Sequence, residues 1–284
     1  MMNKINPKDM KDFDNPYKIA LVAMQDDEGD MHTCLLSTLM NKGDDKMMFG
    51  QFVRGKSEAY IYRHPKTGFL IMSMDKDFWT GSMDFTHSVT EGEDYVKMNE
   101  YPLFRFNTYF GVSDVHYANL VEISQRQKLN MPGVVANAVK TFSLKGLYAG
   151  DREKKVLRPW AEAFLKKMDT LKFISYMGEN GYPKVVPVIQ AQAASSSRIV
   201  FPLRPYEDLL SDLKEGARVN IYGMSLSMEV VLVKGCYHVG GMGLSYVDID
   251  KVYNCAPPKA GYIYPELRND ATDFSKEPLS ERRI

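Results

Sequence analysis

Charge of one sign is what this chain lacks. Thirty-six basic residues balance 36 acidic ones over 284 residues, so the formal net charge is zero. No global field draws it to nucleic acid or to an acidic membrane surface. Cysteine is scarce: Cys34, Cys236 and Cys255 are odd in number, widely spaced and free of any CxxC pair. That argues against a disulfide framework and against a zinc site, and a reducing cytoplasm is the simplest setting. No apolar run approaches the roughly 20 residues of a membrane span. The polar opening MMNKINPKDMKDFDNP has no signal-peptide core and reads as mobile. HExxH, GxSxG, Walker A and GxGxxG elements do not occur, and the five histidines (His32, His64, His87, His116 and His238) are scattered. No metal site is expected from such a pattern.

What is present is ordinary globular composition, 44% hydrophobic and 12% aromatic, enough for one or two cores. The 18 methionines read mostly as core filler. Short apolar runs alternate with polar turns. KIALVAMQ (18–25), MHTCLLSTLM (31–40), MMFGQF (47–52) and GFLIMSM (68–74) read as strands. RGKSEAYIYRH reads as a short helical or irregular link before the last of them. This spacing predicts an antiparallel barrel or sandwich. Residues 75–111 carry aromatics between polar turns, 107–124 read in part as extended, and 125–150 are weakly patterned. Residues 152–171 carry the i, i+3, i+4 recurrence of a helix, with Pro159 predicting a kink or a late start.

The first pattern then returns. KFISYM, KVVPVIQAQA and IVFPL read as strands, RPYEDLLSDLKEGA (204–217) as a short helix, and RVNIYGMS and EVVLVKGCYHV as two more strands. Aligned by order, Lys18 falls with Lys172, Phe49 with Phe201 and Gly68 with Ala217. Same order and similar lengths at little identity imply an internal duplication. The expected domains are 14–150, a first repeat with its link, and 151–284, a helix plus a second repeat.

The stretch FGQFVRGKS (49–57) ends an apolar run on two cations, a glycine and a hydroxyl. Taken alone it reads as a solvated basic loop with a serine cap. Together with HTCLLSTLM and the following EAYIYRHPKTGFLIM, it resembles the split-barrel flavin-binding family that includes pyridoxamine 5'-phosphate oxidase. Arg54, Lys56 and Ser57 stand in the link and His64-Pro65 in the turn. The likeness covers about residues 17–124 and 171–265, where the second half ends in VYNCAPPKAGYIYP. It implies a mainly β fold with short helices, as two tandem split barrels forming an intramolecular pseudo-dimer. It also implies FMN as cofactor, held where the two barrels meet.

On that reading Arg54 offers a fork of N–H donors, Lys56 a point charge and Ser57 a hydroxyl to the phosphate, and Gly55 lets the backbone approach. If Ser57 starts a helix, the free amides of its first turn add to them. Thr33, Cys34, Ser37, Thr38, Gln51 and Phe52 are candidates around the flavin ring, of which a strand's alternation lets about half face one ligand. Trp79 is a candidate ring cover or a core residue. The second copy's link keeps Arg204 but carries Glu207 and Asp208, which repel phosphate. An asymmetric pair follows, with one flavin per chain if the chain is monomeric; a homodimer is the other arrangement.

The expected function is a flavin-dependent oxidoreductase acting on a small-molecule substrate. The alternative is a non-catalytic module that binds or stores flavin, a deazaflavin or haem. Neither nucleic acid nor a membrane is an expected partner. Pyridoxamine 5'-phosphate oxidation itself is not expected, because family members with that activity end in an Arg-containing segment near a C-terminal Pro, and this chain ends LSERRI.

Overall fold

Every residue from Lys18 to Met24 is buried, odd and even alike. A strand points successive side chains to opposite faces, so a run buried throughout has something packed on both sides. Ala20, Val22 and Met24 enter one apolar core with Phe69, Ile71, Trp79 and Met83. Ile19, Leu21 and Ala23 enter another, with Leu70, Met72, Phe173, Val185 and Ile221. The first core fills a barrel. The second fills the other barrel and the seam between the two.

The computed structural model describes residues 2–52, 55–101, 111–151, 153–255 and 261–265. In chain order these form α1 (Met10–Asp14), β1 (Lys18–Gln25), β2 (Met31–Leu35), β3 (Met40–Asn41), β4 (Lys46–Gln51), α2 (Lys56–Arg63), β5 (Lys66–Ser73), β6 (Asp77–Val89), α3 (Glu93–Glu100), β7 (Asp114–Ile123) and β8 (Gln127–Lys128). Then come α4 (Met131–Leu144), α5 (Pro159–Lys166), β9 (Leu171–Met177), β10 (Pro183–Pro187), β11 (Gln192–Ser195), β12 (Arg198–Phe201), β13 (Arg218–Met224), β14 (Val230–Val239), β15 (Ser245–Asn254) and β16 (Gly261–Tyr264). The strands build two eight-stranded sheets. One runs β2-β1-β5-β6-β7-β4-β3 and the other β10-β9-β13-β14-β15-β12-β11, with every pairing antiparallel. The two paths are the same path. Only the eighth strands differ, β8 pairing with β6 and β16 with β15. The fold is therefore mainly β, two tandem split barrels packed as a pseudo-dimer within one chain.

Hydrogen bonds give the register between the copies. Leu36 N donates to Ala20 O as Val188 N does to Lys172 O. Thr38 Oγ1 donates to Gly50 O at 2.7 Å, as Gln190 Nε2 does to Pro202 O at 2.9 Å. Ile71 pairs with Trp79 as Gly223 pairs with Val231. A β-bulge falls at Ser82/Met83 in one copy and at Lys234/Gly235 in the other. Ala20 thus corresponds to Lys172, Phe49 to Phe201 and Gly68 to Asn220, at one constant offset. The alignment by order has Phe49 right and its drift wrong. Lys18 and Lys172 attract each other in sequence because both are buried lysines that donate to carbonyls of the preceding loop, Asn15 O in one case and Lys167 O and Thr170 O in the other. Burial pushes the first amine down to about 8 and the second to about 7.

Several local expectations change. The opening residues are anchored: Ile5 and Phe13 are buried, and Asp9 accepts from Trp79 Nε1 at 2.9 Å and pairs with Arg126. The run 31–40 is two strands, because Leu36 and Leu39 make a turn between them. Helix α5 starts late, at Pro159, which suits a first helical position because it has no amide to lose. The link 204–217 holds a single 3₁₀ turn at Glu207–Leu210 instead of an α-helix. Trp79 is sealed in the first core against Phe13, away from any ligand surface. Helix α4 lies in the region read as unpatterned. At the seam, a side chain on Gly68 would meet the Pro183 carbonyl at 1.9 Å, so only glycine lets the barrels approach there.

Candidate functional site

Strand β2 leaves the seam and helix α2 enters beside it, which brings the two halves of the sequence-derived cluster together. Lys56 and Ser57 open α2, whose preceding residue, Gly55, is extended. The first amides of a helix have no carbonyl a turn earlier to bond, so this end presents N–H groups next to an ammonium and a hydroxyl. Ser57 is the second helical residue and not the cap. Beyond Gly55, where a side chain would begin, no atom of the described residues other than its chain neighbours lies within 4 Å. Arg54 lies outside the described residues.

Ser57 Oγ and His32 Nε2 share a hydrogen bond of 3.1 Å, and Ser57 also reaches Cys34. The His32 ring packs edge-on against Tyr60 of its own repeat and Tyr253 of the other. Burial first, then the Lys234 and Lys56 ammonium groups, hold His32 down at about 3, so it is neutral. Burial pushes the Cys34 thiol up to about 11, so it is no ready nucleophile at neutral pH. Cys255, from the second repeat, is raised by burial and senses both Cys34 and Lys234. Both cysteines are partly buried.

The far wall belongs to the second repeat. Lys234 is fully buried and paired with Asp26 Oδ2 at 2.5 Å across the seam, and it also donates to Tyr262 Oη at 3.0 Å. Lys56 lies over the Tyr262 ring, 5.3 Å from its centre. At the rim, Lys251 bonds Glu28 and Asp30, and Arg218 bonds Asp30 and Asp250. Asp30 is raised by burial but pulled down harder by Arg218 and Lys251, to about 2. The site is thus built from both repeats: Lys56 stands on one side, and on the other Lys234, Lys251 and Arg218 are each bonded to carboxylates.

The sequence-derived residues divide. Cys34, Lys56 and Ser57 meet in the cleft. Ser37, Gln51 and Phe52 are partly exposed on the same turn and strand end. Thr38 is buried, and its hydroxyl is spent on Gly50 O. Thr33 is buried in the seam, where it bonds Ser175 Oγ at 2.8 Å and Asn220 at 3.0 Å. Sequence reasoning missed Lys234, Cys255 and Asp26. Nothing local marks them, because their place depends on the pseudo-two-fold between barrels. Among the described residues no group of three His, Cys, Asp or Glu side chains is placed to hold a metal ion.

The same geometry occurs a second time with other chemistry. Under the register above, Lys184 stands for His32, Val186 for Cys34, Asp208 for Lys56 and Leu209 for Ser57. These four line a cleft of about 90 Å³, with Val185 beside them and Thr80, Gly81, Ser82 and Glu122 opposite. Ser82 and Glu122 stand where the first cleft has Lys234 and Lys251. Ser82 Oγ and Asn180 Nδ2 both donate to Glu122, and Lys184 is held by Asp212 at 2.7 Å.

No protein-family model and no curated protein matches the chain. Solved structures do, and the following three each match less than half of it. An FMN-binding protein from Syntrophomonas wolfei is 17% identical, with 43% of this chain and 85% of that one covered at a TM-score of 0.37. HupZ of Group A Streptococcus is 16% identical, over 42% and 91% at 0.35. HutZ, the haem storage protein of Vibrio cholerae, is 8% identical, over 44% and 96% at 0.34. These neighbours include FMN-binding and haem-storing proteins. The fold of this chain rests on its own strand order.

Proposed function

We propose that this chain is an FMN-binding split-barrel protein that uses the cleft at the head of α2 for flavin-dependent redox chemistry on a small molecule. One observation carries the reading: two clefts related by the same fold differ in charge. The first combines Lys56, Ser57 and a helix start, a donor set suited to a phosphate with nearly two negative charges, with Lys234 opposite held by Asp26. The second puts Asp208 and Leu209 in those places. In this reading Arg54, Lys56 and Ser57 hold the phosphate, and open space at Gly55 admits it. Cys34, Ser37, Gln51 and Phe52 face the ring system, with Tyr253 and Tyr262 walling it from the second repeat. Thr33 and Thr38 support these residues from behind.

FMN supplies hydride or electron transfer when bound. The protein's own part is to bind, orient and exclude water. His32, neutral and engaged with Ser57, fixes the hydroxyl and adds no charge to the site. Its buried, bonded Nε2 also argues against axial ligation of haem by this residue. The domains are taken as 14–150, with the phosphate link, and 151–284. One site per chain follows, whether the chain is a monomer or pairs with a second copy.

The experiment is to purify the protein, record its visible spectrum with and without added FMN, and titrate the bound form with reduced nicotinamide. A bound flavin that bleaches on reduction and reoxidises with turnover is expected. Flavin that binds but never turns over would leave storage as the function. Failure to take up FMN would overturn the reading.

A further inference from the structure

Helix α4 is apolar on both faces. A surface helix normally buries its apolar stripe and shows polar residues to water. Here the inward positions are Val134, Ala138 and Thr141, whose hydroxyl turns back to Asn137 O. The outward ones are Val135, Val139 and Phe142, at 52%, 58% and 63% exposure, followed by Leu147 at 72%. The i, i+4, i+7 spacing sets the first three in one row. An apolar row turned to water on an otherwise ordinary surface marks an interaction site.

Charge says what covers it. Between Glu122 and Asp151 the sequence has no acidic residue, while Arg126, Lys128, Lys140 and Lys145 fall inside that interval; Arg126 and Lys128 are paired with Asp9, Asp12 and Asp77, which leaves Lys140 and Lys145 beside the row. The neutral total conceals this segregation. Lys140 is exposed next to Val139. Lys145 lies 4.6 Å from the Phe142 ring centre and donates to Gln192, whose amide in turn reaches the half-exposed Met168. Lys166 of α5 is close enough to act on Lys145 as a like charge. The row is thus bordered by cations with no carboxylate from its own segment. A second copy docked on it by two-fold symmetry would set Lys140 and Lys145 against their own equivalents. An anionic lipid surface offers an acyl boundary for Val139 and Phe142 and negative headgroups for the lysines.

We propose that the outer face of α4, with the turn at Lys145–Tyr148, docks the protein on the surface of an anionic bilayer. The helix lies flat against the headgroups and does not cross; among the described residues no helix is long and apolar enough to do so.

The test is flotation of the full chain with vesicles of phosphatidylcholine alone and of phosphatidylcholine mixed with phosphatidylglycerol. Binding to the mixed vesicles only, weakened by added salt, is expected. Val139→Ser with Phe142→Ser, at exposed positions, should cut it by about tenfold or more through lost apolar burial. Lys140→Glu with Lys145→Glu should cut it by about the same factor, at roughly 1 kcal/mol per lysine near an anionic surface. Unchanged melting temperatures would show that both variants are folded. Binding that is absent, or equal in all three proteins, overturns the proposal. So does a dimer seen by light scattering that the serine variant dissolves, because the second copy would then be the occupant.

Discussion

The two sides of the seam are built on one plan and filled with different chemistry. Where the first side pairs Asp26 with Lys234, the second has Gly178 and Ser82. Where Arg218 clasps Asp30, Lys66 lies over the Tyr182 ring at 4.9 Å. Where Lys251 bonds Glu28, Asn180 bonds Glu122. Contacts made by ions on one side are made by neutral or singly charged groups on the other. A fold that repeats its backbone need not repeat its site. The strand order supplies two equivalent clefts, and side chains decide which of them suits an anion.

Breaking the buried ion pair should have the largest effect. Asp26→Ala leaves Lys234 buried without its partner, which costs about 3–5 kcal/mol. Chemical denaturation should show that loss, and a loss below 1 kcal/mol would mean the pair does not tie the barrels. Next comes a matched comparison of the clefts. Lys56→Ala should weaken FMN binding by about 1.5–3 kcal/mol, the usual worth of a hydrogen bond to a charged group, while Asp208→Ala, at the equivalent position, should leave it unchanged. Fluorescence titration of both proteins checks this, and equal effects would erase the distinction.

A smaller effect is set by pH. Asp30 has its folded value lowered to about 2 from an ordinary 3.8. A depressed carboxylate contributes stability above its unfolded value and loses it as pH falls through the folded one. Asp30→Asn should therefore cost about 2 kcal/mol at neutral pH. The gap from the unaltered protein should close between pH 3.8 and about 2. A gap independent of pH would place its cause elsewhere.

Much of the fold was legible. IALVAM (19–24) and FLIM (69–72) are apolar without interruption because one face meets a barrel core and the other the seam, and such runs stand out. The link between β4 and β5 stood out because cations and a hydroxyl broke that pattern. Helix α4 was illegible for the opposite reason: apolar residues stand on both faces, Val134 and Ala138 inward and Val135, Val139 and Phe142 outward, so no single stripe stands out. Half of the candidate site was invisible as well. Lys234 and Cys255 lie far from Lys56 in sequence, and only the pseudo-two-fold brings them to it. Thr33 was misleading because a polar residue on a site strand can equally serve the seam.

The account stands on the asymmetry between the clefts, and counting flavin per chain tests it most directly. FMN absorbance against protein concentration, after removal of unbound cofactor, should give one equivalent for the unaltered chain. Lys56→Ala with Ser57→Ala should bring it close to zero, and Asp208→Ala with Leu209→Ala should leave it at one. Two equivalents per chain, or a value that the first double variant does not lower, would contradict it.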